Sequence, residues 1–162
     1  MLELILSGMQ NTLQTVYEQK LLALNRESAE YGLILTKKDA EEIIEARIHA
    51  LKLCDRIDMG ISVTEKIIRK FCQSGYISQD DYVEIISEIQ NIFYCLKNET
   101  EDTVPDDKLI DIMWNIYERL CRGSIEGLRT KADTFAQRYR YVAAVRESRK
   151  DRKDYLQQKT IV

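Results

Sequence analysis

The sequence predicts an all-α protein, a single-domain bundle of five to six helices with a long basic C-terminal helix. Three observations predict this fold class. The 162 residues include one Pro and six Gly, few of the residues that interrupt helices. The 44% hydrophobic and 31% charged composition is typical of amphipathic helices that share one core. Apolar residues recur every three to four positions, which is the period of one helix face.

The first predicted helix runs from about Met9 to Glu30, and Gly32 follows it as a stop. Before it, the apolar run Leu2 to Leu6 has no credible partner strand in the chain, so we interpret it as a packing arm. A second helix is predicted to begin after Thr36, with Asp39 completing a capping pair, and to end before Gly60.

The third and fourth predicted helices are bounded by further capping signatures. Ser62 and Glu65 begin the third, and Ser74-Gly75 closes it. Ser78 and Asp81 begin the fourth, which has the most regular apolar stripe in the chain and is expected to be central. That stripe consists of Tyr82, Ile85, Ile86, Ile89, Ile92, Phe93 and Leu96.

The fifth and sixth predicted helices occupy the last third of the chain. Thr103 and Pro105 open the fifth, with proline in the first turn, and Gly123 ends it. Thr130 and Asp133 indicate a cap for a final helix from Lys131 to about Gln158. Its apolar face ends near Val145. We therefore predict a helical bundle domain over residues 1–145 and a charged helical extension, projecting or frayed, over residues 146–162.

The two parts of the chain carry opposite charge. Residues 119–162 hold 12 Lys/Arg and 5 Asp/Glu, a net charge of +7, whereas residues 1–118 have a net charge of −10. This favours a tail helix that lies against the chain's own acidic surface or that of a second copy. Basic arms also bind nucleic acid, which stays an alternative, although the acidic body would repel a polyanion. The predicted tail contacts are Arg138, Arg140, Tyr141, Arg149 and Lys150.

Glu41, Glu42 and Glu45 form an acidic cluster on the second predicted helix. The cluster resembles the Glu-Glu-x-x-Glu of the all-α nucleoside triphosphate pyrophosphohydrolases, and the resemblance implies carboxylates that hold Mg²⁺ against substrate phosphates. The family's second motif, Glu-x-x-Asp, is absent, because Glu65 is followed at the third position by Ile68. An acidic exposed face is the favoured interpretation, and the Mg²⁺-dependent enzyme is the alternative.

Other chemistry has little support in the sequence. His49 is the only histidine, so a paired-histidine metal site or a histidine relay is hard to assemble. Cys54, Cys72, Cys95 and Cys121 lack Cys-x-x-Cys spacing and lie on or beside apolar stripes, where buried, unreactive thiols are expected. We therefore predict no catalytic residue, no bound metal and no cofactor.

A polar segment follows the fourth predicted helix, at Lys97, Asn98 and Glu99. Together with Arg47 and Arg56 from the second helix, it is predicted to form a patch that recognises a partner or a small ligand. A solvated helix end is the simpler interpretation.

Four short motifs in the middle of the chain form a recognisable set. They are Ala50-Leu51-Lys52 before Arg56 and Ile57, Phe93-Tyr94 with Lys97-Asn98-Glu99-Thr100, Asp107 with Leu109-Ile110, and Cys121 with Gly123-Ser124. With these motifs, about residues 31–129 resemble a family of small bacterial proteins that carry a domain of unknown function. The resemblance implies no activity, ligand or catalytic residue.

These observations favour a non-enzymatic protein-interaction module that self-associates. The expected partner is a second copy or another protein, with nucleic acid less favoured and no membrane. The chain opens Met1-Leu2-Glu3, without a basic signal-peptide region, and no apolar run approaches the roughly 18 residues of a membrane span. We therefore expect a cytoplasmic protein.

Overall fold

The computed structural model describes residues 1–160, and these residues are all-α, as predicted. Ile161 and Val162, the end of the predicted extension, lie outside the described residues. Six helices have ten residues or more, and a one-turn helix, α2, follows α1. The helices are α1 (Leu2–Ala23), α2 (Asn25–Ser28), α3 (Lys37–Leu53), α4 (Ser62–Phe71), α5 (Tyr82–Glu99), α6 (Asp106–Asn115), which a π-helical turn (Ile116–Leu120) extends, and α7 (Ile125–Thr160).

Helix α5 is central, as its apolar stripe predicts. It packs against α3, α4, α6 and α7. Its buried side chains include the Gln90 amide, which accepts a hydrogen bond from the Thr64 hydroxyl at 2.5 Å and donates to the Ile43 carbonyl at 3.3 Å. The core is therefore built around α5, and the Thr64–Gln90 pair inside it is satisfied.

The start of α3 confirms the predicted capping pair. The Thr36 hydroxyl accepts from the Asp39 amide at 3.1 Å, and the Asp39 carboxylate accepts from the Thr36 amide at 2.9 Å. Two backbone donors that the helix cannot use are satisfied in this way, which fixes where α3 begins.

The N-terminal prediction was wrong in two respects. Leu2 to Leu6 is no packing arm: it forms the first turns of α1, with the Ile5 amide bonded to the Met1 carbonyl at 3.2 Å, and its side chains are exposed. The first helix also ends earlier than Glu30, because the chain turns at Leu24 before the short α2. Gly32 does stop the helical segment, at a φ of 80°.

Two predicted starts were also displaced. Helix α5 begins at Tyr82, with Asp81 rather than Ser78 at its cap, whereas α4 begins at Ser62 as predicted. Helix α7 begins at Ile125 rather than after Thr130, and the Ser124 hydroxyl accepts from the Gly127 amide at 3.0 Å. Gly127 lies inside this helix. The Cys121 sulfur is only 2.9 Å from where a Cβ would lie, so the close packing of Cys121 requires glycine here.

The directions of four helices follow from their contacts. Helix α1 is antiparallel to α3, since Asn25 contacts Leu35 at one end and the Tyr17 ring lies 5.7 Å from the Arg47 guanidinium further along. Helices α3, α5 and α7 are parallel to one another. The pairs that show this are Ile43 with Gln90, Cys54 with Cys95, Glu88 with Arg129, and Glu99 with Arg140.

No helix within residues 1–160 combines the length and apolar character that crossing a membrane requires.

Candidate functional site

Helices α1 and α7 project from the same end of the bundle. Twenty residues of α7 follow Arg140, which contacts the last residue of α5, so α7 extends about 30 Å beyond α5. Helix α1 continues about 22 Å from Tyr17 to Leu2, while α3 continues only about 9 Å past Arg47. We call this region, residues 1–16, 48–61 and 141–160, the open end.

The open end carries most of the exposed apolar surface. Sixteen of the twenty large hydrophobic side chains that are exposed within residues 1–160 lie there. Ile57, at 91%, and Met59, at 86%, are among the most exposed, on the loop between α3 and α4. The others are Met1, Leu2, Leu4, Ile5, Leu6, Met9, Leu13, Val16, Ile48, Leu53, Tyr141, Val142, Tyr155 and Leu156.

On α1, the exposed apolar residues form a continuous stripe. Leu2, Ile5, Leu6, Met9, Leu13 and Val16 are spaced to share one helix face, whereas Leu4 lies on the opposite face. A stripe of this kind normally packs on a core, but here its residues are 39% to 72% exposed. The face is therefore unpartnered within the described chain.

The predicted polar patch comes together at the base of the open end. Arg56 donates from Nη1 to Asn98 at 2.8 Å and binds both carboxylate oxygens of Asp102, at 3.1 and 2.6 Å. This pairing lowers the pKa of Asp102 and raises that of Arg56. Asn98 in turn donates to the Cys54 carbonyl at 2.7 Å, which ties the end of α3 to α5.

Arg47 holds the loop between α3 and α4. Its Nη2 donates to the carbonyl of Asp58 at 2.9 Å and to that of Gly60 at 2.5 Å. The Tyr94 hydroxyl donates to the Asp58 carboxylate at 2.7 Å, and this bond together with burial raises the Tyr94 pKa. The Arg47 guanidinium is buried, so these hydrogen bonds hold the loop from its buried side.

The other two patch residues bind neighbouring segments. Lys97 donates to the Val104 carbonyl at 2.8 Å and pairs with Asp106 at 2.8 Å. Glu99 pairs with Arg140 of α7. All five predicted patch residues are thus close together, but their main contacts are with the chain itself. The patch supports the loop that displays Ile57 and Met59.

The predicted tail residues are exposed, and Arg140 is the one that contacts the bundle, through Glu99. A groove of about 610 Å³ separates the first part of the tail from the turn after α5. Its walls include Thr103, Tyr139 and Lys150, and Thr103 and Tyr139 share a hydrogen bond. Tyr141 and Arg149 lie on a shallower groove along α7. Arg138 is exposed on the same helix.

The acidic cluster lies on α3. Glu42 and Glu45 are exposed and Glu41 is half-buried. Within residues 1–160, no three His, Cys, Asp or Glu side chains are grouped so that they could hold a metal ion. The Mg²⁺-dependent enzyme stays a hypothesis.

The thiols differ from the prediction. Cys72 is buried, as expected, but Cys95 is exposed, and Cys54 and Cys121 are half-buried. The sulfur atoms of Cys54 and Cys95 are 3.8 Å apart. No spacing in the sequence indicates this pair, because it depends on how the end of α3 meets α5.

The comparisons with known proteins identify a family. A model described as a family of unknown function, DUF6323, matches residues 20–145. The chain belongs to this family. The predicted resemblance over residues 31–129 to a family of unknown function is confirmed, and the match is longer at both ends. No curated protein and no solved structure matches the chain.

The DUF6323 match covers the bundle and the first part of α7. It leaves out residues 1–19, which carry the apolar stripe, and residues from 146 onward, which form the predicted extension. The two segments that build most of the open end therefore lie largely outside the matched region. The division at residue 145 into bundle and extension stays a proposal.

Proposed function

We propose that this DUF6323 protein is a non-enzymatic interaction module that self-associates through its open end. The observation that carries the proposal is the concentration of exposed apolar side chains there, sixteen of the twenty within residues 1–160. Contiguous apolar surface of this kind marks binding sites in proteins more often than scattered exposed residues do.

The apolar stripe of α1 supports a second copy as the occupant. Residues 1–16 contain one charged side chain, Glu3, so two such helices can face each other with little repulsion. Full burial of a Leu or Ile side chain contributes about 1.5 to 3 kcal/mol. Association costs about 4 to 15 kcal/mol of free energy. Burial of one side chain does not offset this cost, whereas burial of two stripes of six residues does.

Charge complementarity supports the same occupant. The tail, within residues 119–162 of net charge +7, is opposite in sign to residues 1–118, of net charge −10. A tail that reaches about 30 Å beyond α5 can meet the acidic surface of a second copy. The apolar stripe supplies affinity in this arrangement, and the charges set orientation.

The test is sedimentation velocity over a concentration series with two double variants. Leu6→Lys/Met9→Lys places two charges in the stripe of α1, and Leu4→Lys/Asn11→Lys places the same charges on the opposite face of the same helix. All four positions are exposed, so neither variant disturbs the core. We expect the control to associate like the parent chain and the stripe variant to remain monomeric.

Two results would overturn the proposal. One is a parent chain that stays monomeric at high concentration, and the other is equal association of both variants. Nucleic-acid binding by the tail is tested with the same proteins: an affinity for DNA that falls steeply with salt, in a chain that does not self-associate, would favour that alternative.

A further inference from the structure

Cys54 and Cys95 place two thiols side by side at the base of the open end. Cys54 caps the C-terminal end of α3, and Cys95 lies on α5. Their sulfurs are 3.8 Å apart, and one thiol donates to the other. We propose that this pair is a thiol-disulfide exchange site, which small-molecule disulfides oxidise to a reversible Cys54–Cys95 bridge.

Hydrogen bonds anchor the backbone beside the pair. Asn98 donates to the Cys54 carbonyl at 2.7 Å, and Arg56 holds Asn98 and Asp102 together beside it. A disulfide needs a sulfur separation of about 2.05 Å, so the two sulfurs must approach by a little under 2 Å. A change of χ1 rotamer moves a sulfur by a distance of this order.

Accessibility separates this pair from the other thiols. Cys95 is exposed and Cys54 half-buried, so a small reagent can reach them. Cys72 is buried and donates to the Arg69 carbonyl at 3.5 Å. Cys121 packs against Gly127. Neither has a second thiol within bonding distance among the described residues.

The surroundings assign different roles to the two sulfurs. Partial burial of its sulfur raises the pKa of Cys95 to about 11, with smaller contributions from Cys54, Glu99 and Asp133. Cys95 therefore stays protonated near neutral pH, which favours Cys54 as the thiol that attacks first.

The exchange balances without any other oxidant. The Cys54 thiolate attacks one sulfur of the small disulfide, its S–S bond breaks, and the first small thiolate leaves and takes a proton. Cys95 then loses its proton to solvent and attacks the Cys54 sulfur in the mixed disulfide, which releases the second small thiol. One external disulfide is reduced to two thiols, and the two protein thiols are oxidised.

The bridge would join the end of α3 covalently to α5. It would close a loop between positions 41 residues apart, directly below the loop that displays Ile57 and Met59. Constraining the unfolded chain in this way is expected to raise the thermal midpoint by roughly 4 to 16 °C.

The experiment treats the full chain with oxidised glutathione and maps its peptides by mass spectrometry without reduction. We expect one intrachain Cys54–Cys95 link, removal of the link by dithiothreitol, and a higher thermal midpoint for the oxidised protein. Cys72→Ser/Cys121→Ser is expected to behave like the parent chain. Cys95→Ser is expected to keep glutathione on Cys54, because the resolving thiol is missing.

The proposal is overturned if glutathione remains on either sulfur of the parent chain at equilibrium. It is also overturned if the link joins two chains or involves Cys72 or Cys121. These outcomes do not depend on self-association, because denaturing separation without reduction leaves an intrachain link in a monomer-sized product and a link between two chains in a dimer-sized product, and both products are mapped.

Discussion

Arg56 binds Asp102 through two hydrogen bonds, at 3.1 Å from Nη1 and 2.6 Å from Nη2, and so joins the loop after α3 to the turn after α5. Asp102 occupies this place with a φ of 58°, in the left-handed region that non-glycine residues seldom adopt. The pair therefore holds together two chain segments 46 residues apart, at the base of the open end.

The Arg56–Asp102 pair predicts a pH dependence. Because the Asp102 pKa is lowered in the folded chain, the pair stabilises above the unfolded pKa of about 3.9, and this contribution is lost as the pH falls through the lower folded pKa. Since Asp102 is half exposed, we expect Asp102→Asn to cost about 0.5 to 1 kcal/mol of unfolding free energy at pH 7 and less at about pH 3, where part of this contribution has been lost. Urea unfolding at both pH values measures it. An equal cost at both would contradict the prediction.

Arg47 is expected to contribute more to the free energy of unfolding than an exposed arginine does. Arg47→Met leaves the Asp58 and Gly60 carbonyls without their charged donor and should cost about 3 kcal/mol in unfolding free energy. Arg138→Met is the matched control on the exposed face of α7 and should cost under about 0.5 kcal/mol. Urea titrations of the two variants measure the difference. Similar losses would show that Arg47 does not hold the loop.

Thr64 and Gln90 should be energetically coupled inside the core. Thr64→Val leaves the buried side-chain amide oxygen of Gln90 unpaired and should lower the free energy of unfolding by about 1 to 3 kcal/mol. The double variant Thr64→Val/Gln90→Leu should cost less than the sum of the two single variants. Chemical denaturation of the parent chain, the two single variants and the double variant gives the free energies of this double-mutant cycle. Thr130→Val, which loses an exposed bond to the Glu126 carbonyl, is the control, and additive losses would argue against coupling.

Two glycines should respond oppositely to alanine. At Gly123, with a φ of 81°, a Cβ would overlap the Tyr76 side chain, so Gly123→Ala should cost about 2 to 4 kcal/mol. At Gly8 nothing lies within 4 Å, and Gly8→Ala should stabilise α1 locally by about 0.5 to 1 kcal/mol.

Thermal denaturation tests the first change, and amide hydrogen exchange over residues 2–12 tests the second. Faster exchange in Gly8→Ala would contradict a helical N-terminal segment. An unchanged midpoint in Gly123→Ala would contradict the close approach of Tyr76.

Local patterns predicted the helices well where capping and periodicity agreed. The Thr36–Asp39 pair and the α5 stripe were right, because both depend on contacts within a few residues of each other. The Thr130–Asp133 signature was wrong, since an equivalent Ser124 cap lies six residues earlier and Gly127 continues the helix against Cys121.

The candidate site was predictable in part. Arg56 and Asn98 were named from polarity at helix ends, and they do meet. The exposure of the α1 stripe was not predictable, because Leu13 and Val16 have the spacing of core residues and periodicity does not reveal whether a second surface covers them.

The amino-acid sequence by itself determined an all-α chain, its capped helix starts and a basic tail of opposite charge to the rest, since these follow from composition and short-range spacing. Only the tertiary structure decided that α1 and α7 project from one end and that the sulfurs of Cys54 and Cys95 lie 3.8 Å apart. Both relationships depend on the relative directions and offsets of packed helices, which are set by contacts between residues far apart in the chain.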